Sequence, residues 1–343
     1  MLKKVCAAMG LVMLMSGAVQ AKDLTNLTFV AGAINHPTTV KVFVPFTERA
    51  NAEFAGKLGI TYKAANTLFK ETESYNTLNN GIADFGRVRA GSFPDKIHLM
   101  GVVDLPGIAP SAVIGSKVAQ ELMEKFPEVV SEFPEKALPF TAWASASYQI
   151  HSVKPIKTFA ELKGKTILVW DDVLGEVVKA FGGTPKRVIS TTSAKYLESG
   201  EADAVICPMP TVLPYKIDKF AKFHTMIGLG VTSFNILVHK PLWESMDKDM
   251  QNWMKSEGGM KMAVQLGKCL DAAEERTMKV LKEKGHEFFT FTPEERSEGM
   301  KPLDPFLQKW MDGCVAAGFD RRVVEKVLAY AKDRVDYYLK NGK

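Results

Sequence analysis

The sequence predicts an α/β protein built from two domains, and two observations lead to this prediction. The chain has 343 residues, which exceeds what one hydrophobic core usually fills. Strand-like and helical segments alternate in both halves of the chain, a pattern typical of α/β domains. We therefore expect two domains with a cleft between them at the carboxyl ends of strands, where small ligands usually bind.

The predicted elements repeat the order strand, helix, strand in each half of the chain. In the first half, strands are predicted at residues 27–33, 59–63, 82 onwards and 140–150, and helices at 38–58, 72–80 and 117–133. In the second half, strands are predicted at residues 165–170 and 204–207, and helices at 175–181 and 192–199. Helices dominate after Asp247.

The first 21 residues have the layout of a secretory signal peptide. Lys3 and Lys4 give a positive start, residues 5–15 form an uncharged apolar run, and residues 18–21 (AVQA) offer small residues for cleavage. The apolar run is shorter than the roughly 20 residues that cross a bilayer. An uncleaved anchor is the alternative. We expect removal of residues 1–21 on export and a periplasmic protein.

The composition excludes several classes of function. Hydrophobic content of 46% and charged content of 24% are ordinary globular values. The net charge is +5, and charges of both signs are mixed along the chain, so nucleic acid is not an expected partner. Beyond the predicted signal peptide, no segment is long and apolar enough to span a membrane.

Three cysteines follow the predicted signal peptide, namely Cys207, Cys269 and Cys314. Because three is an odd number, at most one disulfide can form. Cys269 and Cys314 lie in predicted helices and are candidates for a disulfide in an oxidising compartment. The alternative is that both are buried core residues.

The motifs of common enzymes and of metal sites are absent from the sequence. It contains no GxSxG, HExxH, CxxC, GxGxxG or P-loop motif, and no two histidines have metal-ligand spacing. Asp171 and Asp172 are either paired carboxylates, as an exported hydrolase would use, or the N-terminal cap of the following helix. We favour the cap, and we expect no enzyme activity, no cofactor and no metal.

Four phrases of the sequence together resemble one family of transport proteins. They are residues 79–86 (NNGIADFG), 154–167 (KPIKTFAELKGKTI), 199–204 (SGEADA) and 233–243 (SFNILVHKPLW). In this order the chain resembles the DctP-type substrate-binding proteins of TRAP (tripartite ATP-independent periplasmic) transporters, from about residue 27 to about residue 281. Binding proteins of ABC transporters share the architecture and are the alternative.

The resemblance implies a two-domain periplasmic-binding-protein-like fold, with a ligand cleft between the domains and a long domain-spanning helix. Residues 247–284, broken at Gly258 and Gly259, match that helix. We divide the chain into domain I, residues 22–146 plus 233–275, and domain II, residues 147–232 plus 276–343. The implied partners are a small organic acid and the integral membrane subunits of a TRAP permease. We expect a monomer.

The resemblance also shows where this chain departs from the family. Members carry an arginine after the Leu-Lys-Gly phrase that clamps the ligand carboxylate, and Leu168 stands at that position here. Cys207 stands at the position of the usual asparagine. Arg87 and Arg89 share one side of a strand and are candidate partners for the ligand's acidic group, with Lys70 as a further cation. Arg89 matches the family position better; solvated surface side chains are the alternative for both arginines.

Aromatic residues concentrate in the segments that match the family's binding site. They are Trp143, Tyr148, Trp170 and Phe234, with Ser145 beside the first. Packing in the core is the alternative for each aromatic residue. A site without the arginine clamp but with aromatic walls predicts a monocarboxylate ligand with an apolar or aromatic body. The predicted function is therefore that of an extracytoplasmic receptor for such an acid.

Overall fold

Two β-sheets form the framework of the protein. The computed structural model describes residues 23–341, so the predicted signal peptide at residues 1–21 lies outside the described part. The strands are β1 (Leu27–Val30), β2 (Ile60–Lys63), β3 (Phe85–Arg89), β4 (Ala137–Ala144), β5 (Tyr148–Ser152), β6 (Thr166–Val169), β7 (Thr184–Arg187), β8 (Ala204–Pro208), β9 (Phe223–Met226), β10 (Ser233–His239) and β11 (Glu287–Thr290). The first sheet has the order β2-β1-β3-β10-β4 and the second has the order β11-β9-β5-β8-β6-β7. The predicted α/β fold with two sheets is confirmed.

Helices surround both sheets. They are α1 (Val44–Glu53), α2 (Ser74–Asn79), α3 (Ala112–Lys125), α4 (Pro127–Val130), α5 (Asp172–Ala180), α6 (Ser193–Glu198), α7 (Lys240–Ser245), α8 (Lys248–Glu257), α9 (Gly259–Glu283), α10 (Pro293–Met300), α11 (Asp304–Ala316) and α12 (Arg321–Asn341). None of the helices described between residues 23 and 341 is long and apolar enough to cross a bilayer.

Two predicted elements are each divided in the structure. The helix predicted at residues 117–133 is divided into α3 and α4, because Pro127 has no N–H to donate and disfavours helical backbone at the residue before it. That residue, Phe126, has extended backbone angles. The strand predicted at residues 140–150 is two strands, β4 in the first sheet and β5 in the second. We call the part of the chain built on the first sheet the first domain and the part built on the second sheet the second domain. The chain therefore passes from the first domain to the second within a segment that reads as one apolar run in the sequence.

Two connections between the sheets lie side by side. The backbone N–H of Ser145, after β4, donates to the carbonyl of Thr232 at 2.9 Å. The N–H of Tyr148 donates to the carbonyl of Gly230 at 2.9 Å, and the Ser145 hydroxyl accepts from the N–H of Thr232 at 2.9 Å. The two domains are thus joined by a hydrogen-bonded pair of strand connections.

Helix α9 is the third connection, and it confirms the predicted long helix that spans both domains. Leu266 packs in a core cluster of the first domain, and Leu281 packs in a cluster of the second. The predicted break lies between α8 and α9. At Gly258 a Cβ atom would lie 2.2 Å from the ring of Phe140, and Gly259 has a φ of +49°, so glycine suits both positions.

The last two helices pack on the first domain. Cys314 and Val327 belong to the core cluster that surrounds α3. The guanidinium of Arg334, on α12, donates to both carboxylate oxygens of Glu121 on α3, at 2.7 and 3.0 Å. We therefore propose that the chain returns to the first domain at α11, in place of the sequence-based division that assigned residues 276–343 to domain II.

The candidate disulfide is absent, since Cys207, Cys269 and Cys314 are all free thiols in the described part of the chain. Cys314 is buried in the cluster around α3, whereas Cys269 packs at the edge of a different cluster that includes Leu266. Of the two alternatives left open by the sequence, the disulfide between Cys269 and Cys314 is not formed, because the two helices that carry these residues face separate cores.

A chain of three imidazole rings crosses the second domain. His151 donates from Nε2 to the carbonyl of Cys207 at 3.0 Å. Its Nδ1 contacts Nδ1 of His224 at 2.8 Å, Nε2 of His224 contacts Nδ1 of His286 at 2.8 Å, and Nε2 of His286 contacts the Lys222 ammonium at 3.3 Å. Because the carbonyl can accept and the ammonium can donate, all four hydrogen bonds run in one direction when every ring is neutral. Sequence spacing gave no indication of this chain, since its members lie on β5, on β9 and just before β11.

We expect Gly267→Ala to destabilise the protein by about 1–3 kcal/mol, the usual cost of overpacking. A Cβ atom at Gly267, on α9, would lie 2.5 Å from the Cα of Val113 at the start of α3. This backbone cannot move aside easily, because the Asp271 carboxylate holds the N–H groups of Ala112 and Val113 at 2.8 and 3.1 Å. The free energy of unfolding in denaturant measures the effect.

Gly313→Ala is the matched control for that experiment. Gly313 also lies within a helix, α11, but an added Cβ atom there has no neighbour within 4 Å. Alanine should stabilise that helix by up to about 1 kcal/mol through its higher helix propensity. Equal effects of the two substitutions would show that contact between α9 and α3 does not limit the residue at position 267.

Candidate ligand-binding site

A cavity of about 250 Å³ lies where the two sheets meet. Its walls come from β3, β4 and β10 of the first domain and from the ends of β6 and β8 in the second. The crossing segment at Ser145 and Ala146 closes one side, and Leu270 of α9 reaches it from another. The site therefore lies between the domains, as the sequence predicted.

Two arginines of β3 point to this cavity. Arg87 and Arg89 both line it, so the predicted shared side of the strand is confirmed. Their side chains are only 20% and 19% exposed, which excludes the alternative of solvated surface residues. The Nε of each guanidinium is buried and has no hydrogen-bond partner among the described residues. Two buried N–H donors without acceptors are what a bound anion would satisfy.

Each arginine already contacts one carboxylate of the protein. Arg87 donates to Glu71 at 2.6 Å, and Glu71 also accepts from the Ser92 hydroxyl at 3.1 Å. Arg89 donates to Oδ2 of Asp171 at 2.6 Å. Of these four charged groups, Arg87, Arg89 and Glu71 line the cavity, and Asp171 pairs with Arg89 from just outside it.

Asp171 and Asp172 have different partners. Oδ1 of Asp171 accepts from the N–H of Leu174 at 2.8 Å and caps helix α5, which confirms the predicted capping role. Asp172 points away to Arg187, with contacts of 2.7 and 2.8 Å, and its side chain is 81% exposed. The two carboxylates do not converge on one point, so the geometry does not favour the paired-carboxylate alternative.

Aromatic rings from both domains form much of the cavity wall. Trp143 and Phe234 are cross-strand neighbours whose rings stack with centroids 5.3 Å apart and planes 22° apart. The Arg87 guanidinium lies 5.1 Å from the centroid of the Phe234 ring. The second domain contributes a second aromatic pair, Trp170 and Tyr215, whose rings are perpendicular with centroids 5.6 Å apart. This arrangement can hold a flat apolar group between two aromatic walls.

Neutral polar groups complete the site. Nδ1 of His36 accepts from the hydroxyl of Thr38 at 2.7 Å and from its N–H at 3.3 Å, so the ring proton resides on Nε2. Burial, together with the nearby Arg87, lowers the pKa of His36 to about 4, and the ring is therefore neutral at pH 7. The Tyr148 hydroxyl contacts Thr232 at 3.0 Å, and burial raises its pKa to about 12. His36 is thus a neutral hydrogen-bond donor in the cavity that the two arginines line.

Three of the residues singled out in the sequence do not line the cavity. Leu168 and Cys207 are fully buried on one face of the second sheet, and burial raises the pKa of the Cys207 thiol to about 12. Lys70 is exposed at the start of a short helical turn. Neighbours of two of them do line the site, since Pro208 follows Cys207 and Glu71 follows Lys70. At positions 70 and 207 the residue that lines the cavity is thus the next one in sequence, whereas neither neighbour of Leu168 lines it.

Other lining residues were missed in the sequence, among them His36, Glu71 and Tyr215. His36 lies in a loop after β1, and a single histidine there has no distinguishing pattern. Glu71 is one acidic residue among several on an exposed turn. Tyr215 lies several residues after β8, and no periodic pattern in the sequence links it to the other residues of the site. Within residues 23–341 no cluster of His, Cys, Asp or Glu side chains is suited to hold a metal ion.

The fold and the cavity together indicate a class of protein. Two α/β domains joined by paired connections and a shared long helix, with a charged and aromatic cavity between them, are the architecture of a solute-binding protein. The chain belongs to the DctP family, bacterial extracellular solute-binding protein family 7, whose model matches residues 30–313. The predicted membership in the DctP-type proteins of TRAP transporters is confirmed. These are periplasmic transport proteins, a family without enzyme function.

Solved structures of TRAP solute-binding proteins have the same fold. A protein from Desulfovibrio salexigens superposes with a TM-score of 0.84 at 20% identity, over 94% of this chain and 98% of that one. One from Rhodoferax ferrireducens, solved with copurified benzoate, gives 0.81 at 17% identity, over 93% and 100%. One from Bordetella bronchiseptica, with bound (R)- and (S)-mandelate, gives 0.77 at 19% identity, over 91% and 99%. At these identities the likeness is one of fold.

Proposed function

We propose that this protein is a periplasmic receptor that captures an organic acid, a monocarboxylate with an apolar or aromatic body, and delivers it to a TRAP permease. One observation carries the proposal. A single cavity between the domains combines two buried arginines, each with an unsatisfied Nε donor, and aromatic walls from both domains. Such a site matches a ligand with one anionic end and one flat apolar end.

The charge around the cavity supports a ligand with one acidic group. Arg87 and Arg89 are balanced by Glu71 and Asp171, and His36 is neutral at pH 7. The free Nε donors can serve one carboxylate. A second carboxylate would be buried without a cation of its own, which is costly. The benzoate and mandelate held by the proteins from Rhodoferax and Bordetella are aromatic monocarboxylates of this kind.

We expect benzoate to bind at least about tenfold more tightly than succinate, because succinate would bury an unpaired charge and leave the aromatic walls without a partner. Titration calorimetry with the two acids at pH 7 measures the difference. Mass spectrometry of the acid that copurifies with the native protein identifies the natural ligand independently.

Tight binding of succinate would contradict the proposed ligand class and would mean that a further cation approaches the cavity on closure. A ligand returned chemically altered after incubation would instead favour the exported hydrolase. Release of the same compound unchanged is the result expected of a receptor.

The remaining parts of the proposal concern export and assembly. The export signal pattern at residues 1–21 supports a cleavable signal peptide and a mature protein that begins at Lys22. We propose that the receptor is a monomer, without a cofactor, whose partners are the ligand and the integral membrane subunits of the permease. An ABC permease is the alternative partner, and the family match favours the TRAP system.

A further inference from the structure

The contact between Arg89 and Asp171 joins the two domains. Arg89 is the last residue of β3 in the first sheet, whereas Asp171 follows β6 of the second sheet. Their side chains meet at 2.6 Å and are 19% and 18% exposed. A carboxylate of one domain thus forms an ion pair with a cation of the other. The pair is largely buried, so salt screens it less than it screens a pair on the surface.

The position of Asp171 is fixed from both ends. One of its oxygens caps α5 by accepting from Leu174, while the other accepts from Arg89. It cannot turn away from Arg89 without leaving the helix uncapped. Glu71, by contrast, lies on the same domain as its partner Arg87, so that pair is independent of how the domains are arranged.

The Arg89 guanidinium also lies at a boundary between two cavities. It lines the main cavity and, together with Tyr148, a smaller neighbouring one of about 50 Å³ that is lined by Asp171 and Asp104. Burial raises the pKa of Asp104 to about 7, although its carboxylate accepts from the N–H of Ser233 at 2.6 Å. The smaller cavity beside Arg89 therefore already contains two carboxyl groups, one from each domain.

We propose that Asp171 is a specificity-determining residue, which takes the position at Arg89 that a second acidic group of a ligand would take. The protein's own carboxylate neutralises this cation across the domain boundary. A ligand with one acidic group enters a site whose charges are balanced and whose Nε–H donors are free. A ligand with two acidic groups finds the Asp171 carboxylate where its second group needs a cation. This inference rests on the proposed function, since it explains how the site selects monocarboxylates.

The test compares two ligands that share one ring, benzoate and benzene-1,3-dicarboxylate, on wild type and on Asp171→Asn. Asparagine keeps the capping oxygen of α5 and removes the charge. We expect the dicarboxylate affinity, relative to benzoate, to rise on the order of tenfold, because Arg89 becomes available to the second carboxylate. The cost of bringing the domains together is common to both ligands and cancels in this ratio.

Asp172→Asn is the matched control. It removes the same charge one residue away, from a carboxylate that faces Arg187 in solvent, so the ratio should stay at the wild-type value. An equal rise of the affinity ratio in both variants would show that the effect comes from net charge alone, and it would overturn the proposed role of Asp171. Thermal melting checks that each variant folds, and Asp171→Ser, which also offers a capping oxygen, is the substitute if Asp171→Asn does not.

The outcomes separate this inference from the proposed function. If benzoate does not bind wild type, the proposed ligand class fails for that acid. The role of Asp171 is then tested by the affinity of the dicarboxylate alone, in wild type and in Asp171→Asn. A gain of dicarboxylate binding in Asp171→Asn then supports the inference. No gain in the dicarboxylate affinity overturns it, whether or not benzoate binds.

Discussion

Arg89→Ala is expected to weaken the binding of a monocarboxylate such as benzoate by about 2–5 kcal/mol, the usual cost of truncating one partner of a buried charge pair. The Arg89 side chain is mostly buried, its Nε faces no acceptor in the described part of the chain, and its Nη2 holds Asp171 of the other domain. Its loss removes a donor to the ligand and leaves Asp171 without its cation. Titration calorimetry at pH 7 measures the effect.

Two further arginine variants serve as comparisons for the loss of affinity in Arg89→Ala. Arg187→Ala removes an exposed guanidinium that pairs with Asp172 outside the cavity, and it should bind the ligand as wild type does. Arg87→Ala should weaken binding less than Arg89→Ala, since the partner of Arg87 lies within its own domain. Wild-type affinity in Arg89→Ala would mean that the ligand's acidic group is held elsewhere.

The second large effect concerns acid stability. Burial lowers the pKa of His151 to about 4, whereas an imidazole in the unfolded chain titrates near 6.5. Between these values the unfolded chain binds the extra proton, so falling pH favours unfolding. The contribution of neutral His151 is complete above about pH 6.5, and about 3 kcal/mol of it is lost as the pH falls to 4.

A comparison of wild type with His151→Gln isolates this contribution. Glutamine retains an N–H donor for the carbonyl of Cys207 but does not titrate. The stability advantage of wild type over the variant should therefore shrink by about 3 kcal/mol between pH 7 and pH 4. Denaturant unfolding at several pH values measures it. Buried acids such as Glu132, whose pKa is raised to about 7, are present in both proteins and cancel.

Parallel pH profiles for the two proteins would contradict this prediction and would mean that the imidazole chain admits a proton in the folded state. Lys222 stands at the outer end of the chain, and its positive charge opposes such a proton. The cation at one end of the chain opposes a proton on the rings. The carbonyl of Cys207 at the other end raises the pKa of His151, but burial outweighs this effect and lowers it.

The sequence by itself determined the fold class and the location of the site. Alternating strand and helix patterns predicted the two α/β domains, and four ordered phrases predicted the family. The glycines at 258 and 259 predicted where the long helix breaks. These features are local or periodic, so a linear pattern contains them. The shared side of Arg87 and Arg89 on β3 followed from strand alternation alone.

The tertiary structure decided which side chains meet. The strand predicted at residues 140–150 turned out to cross from one sheet to the other, and α12 returned to pack on α3, because the burial of an apolar face depends on partners far away in sequence. Arg89 meets Asp171 across 82 positions of the chain, and three histidines align over more than one hundred. No periodicity relates such residues, since it is the packing of the two domains that brings them together.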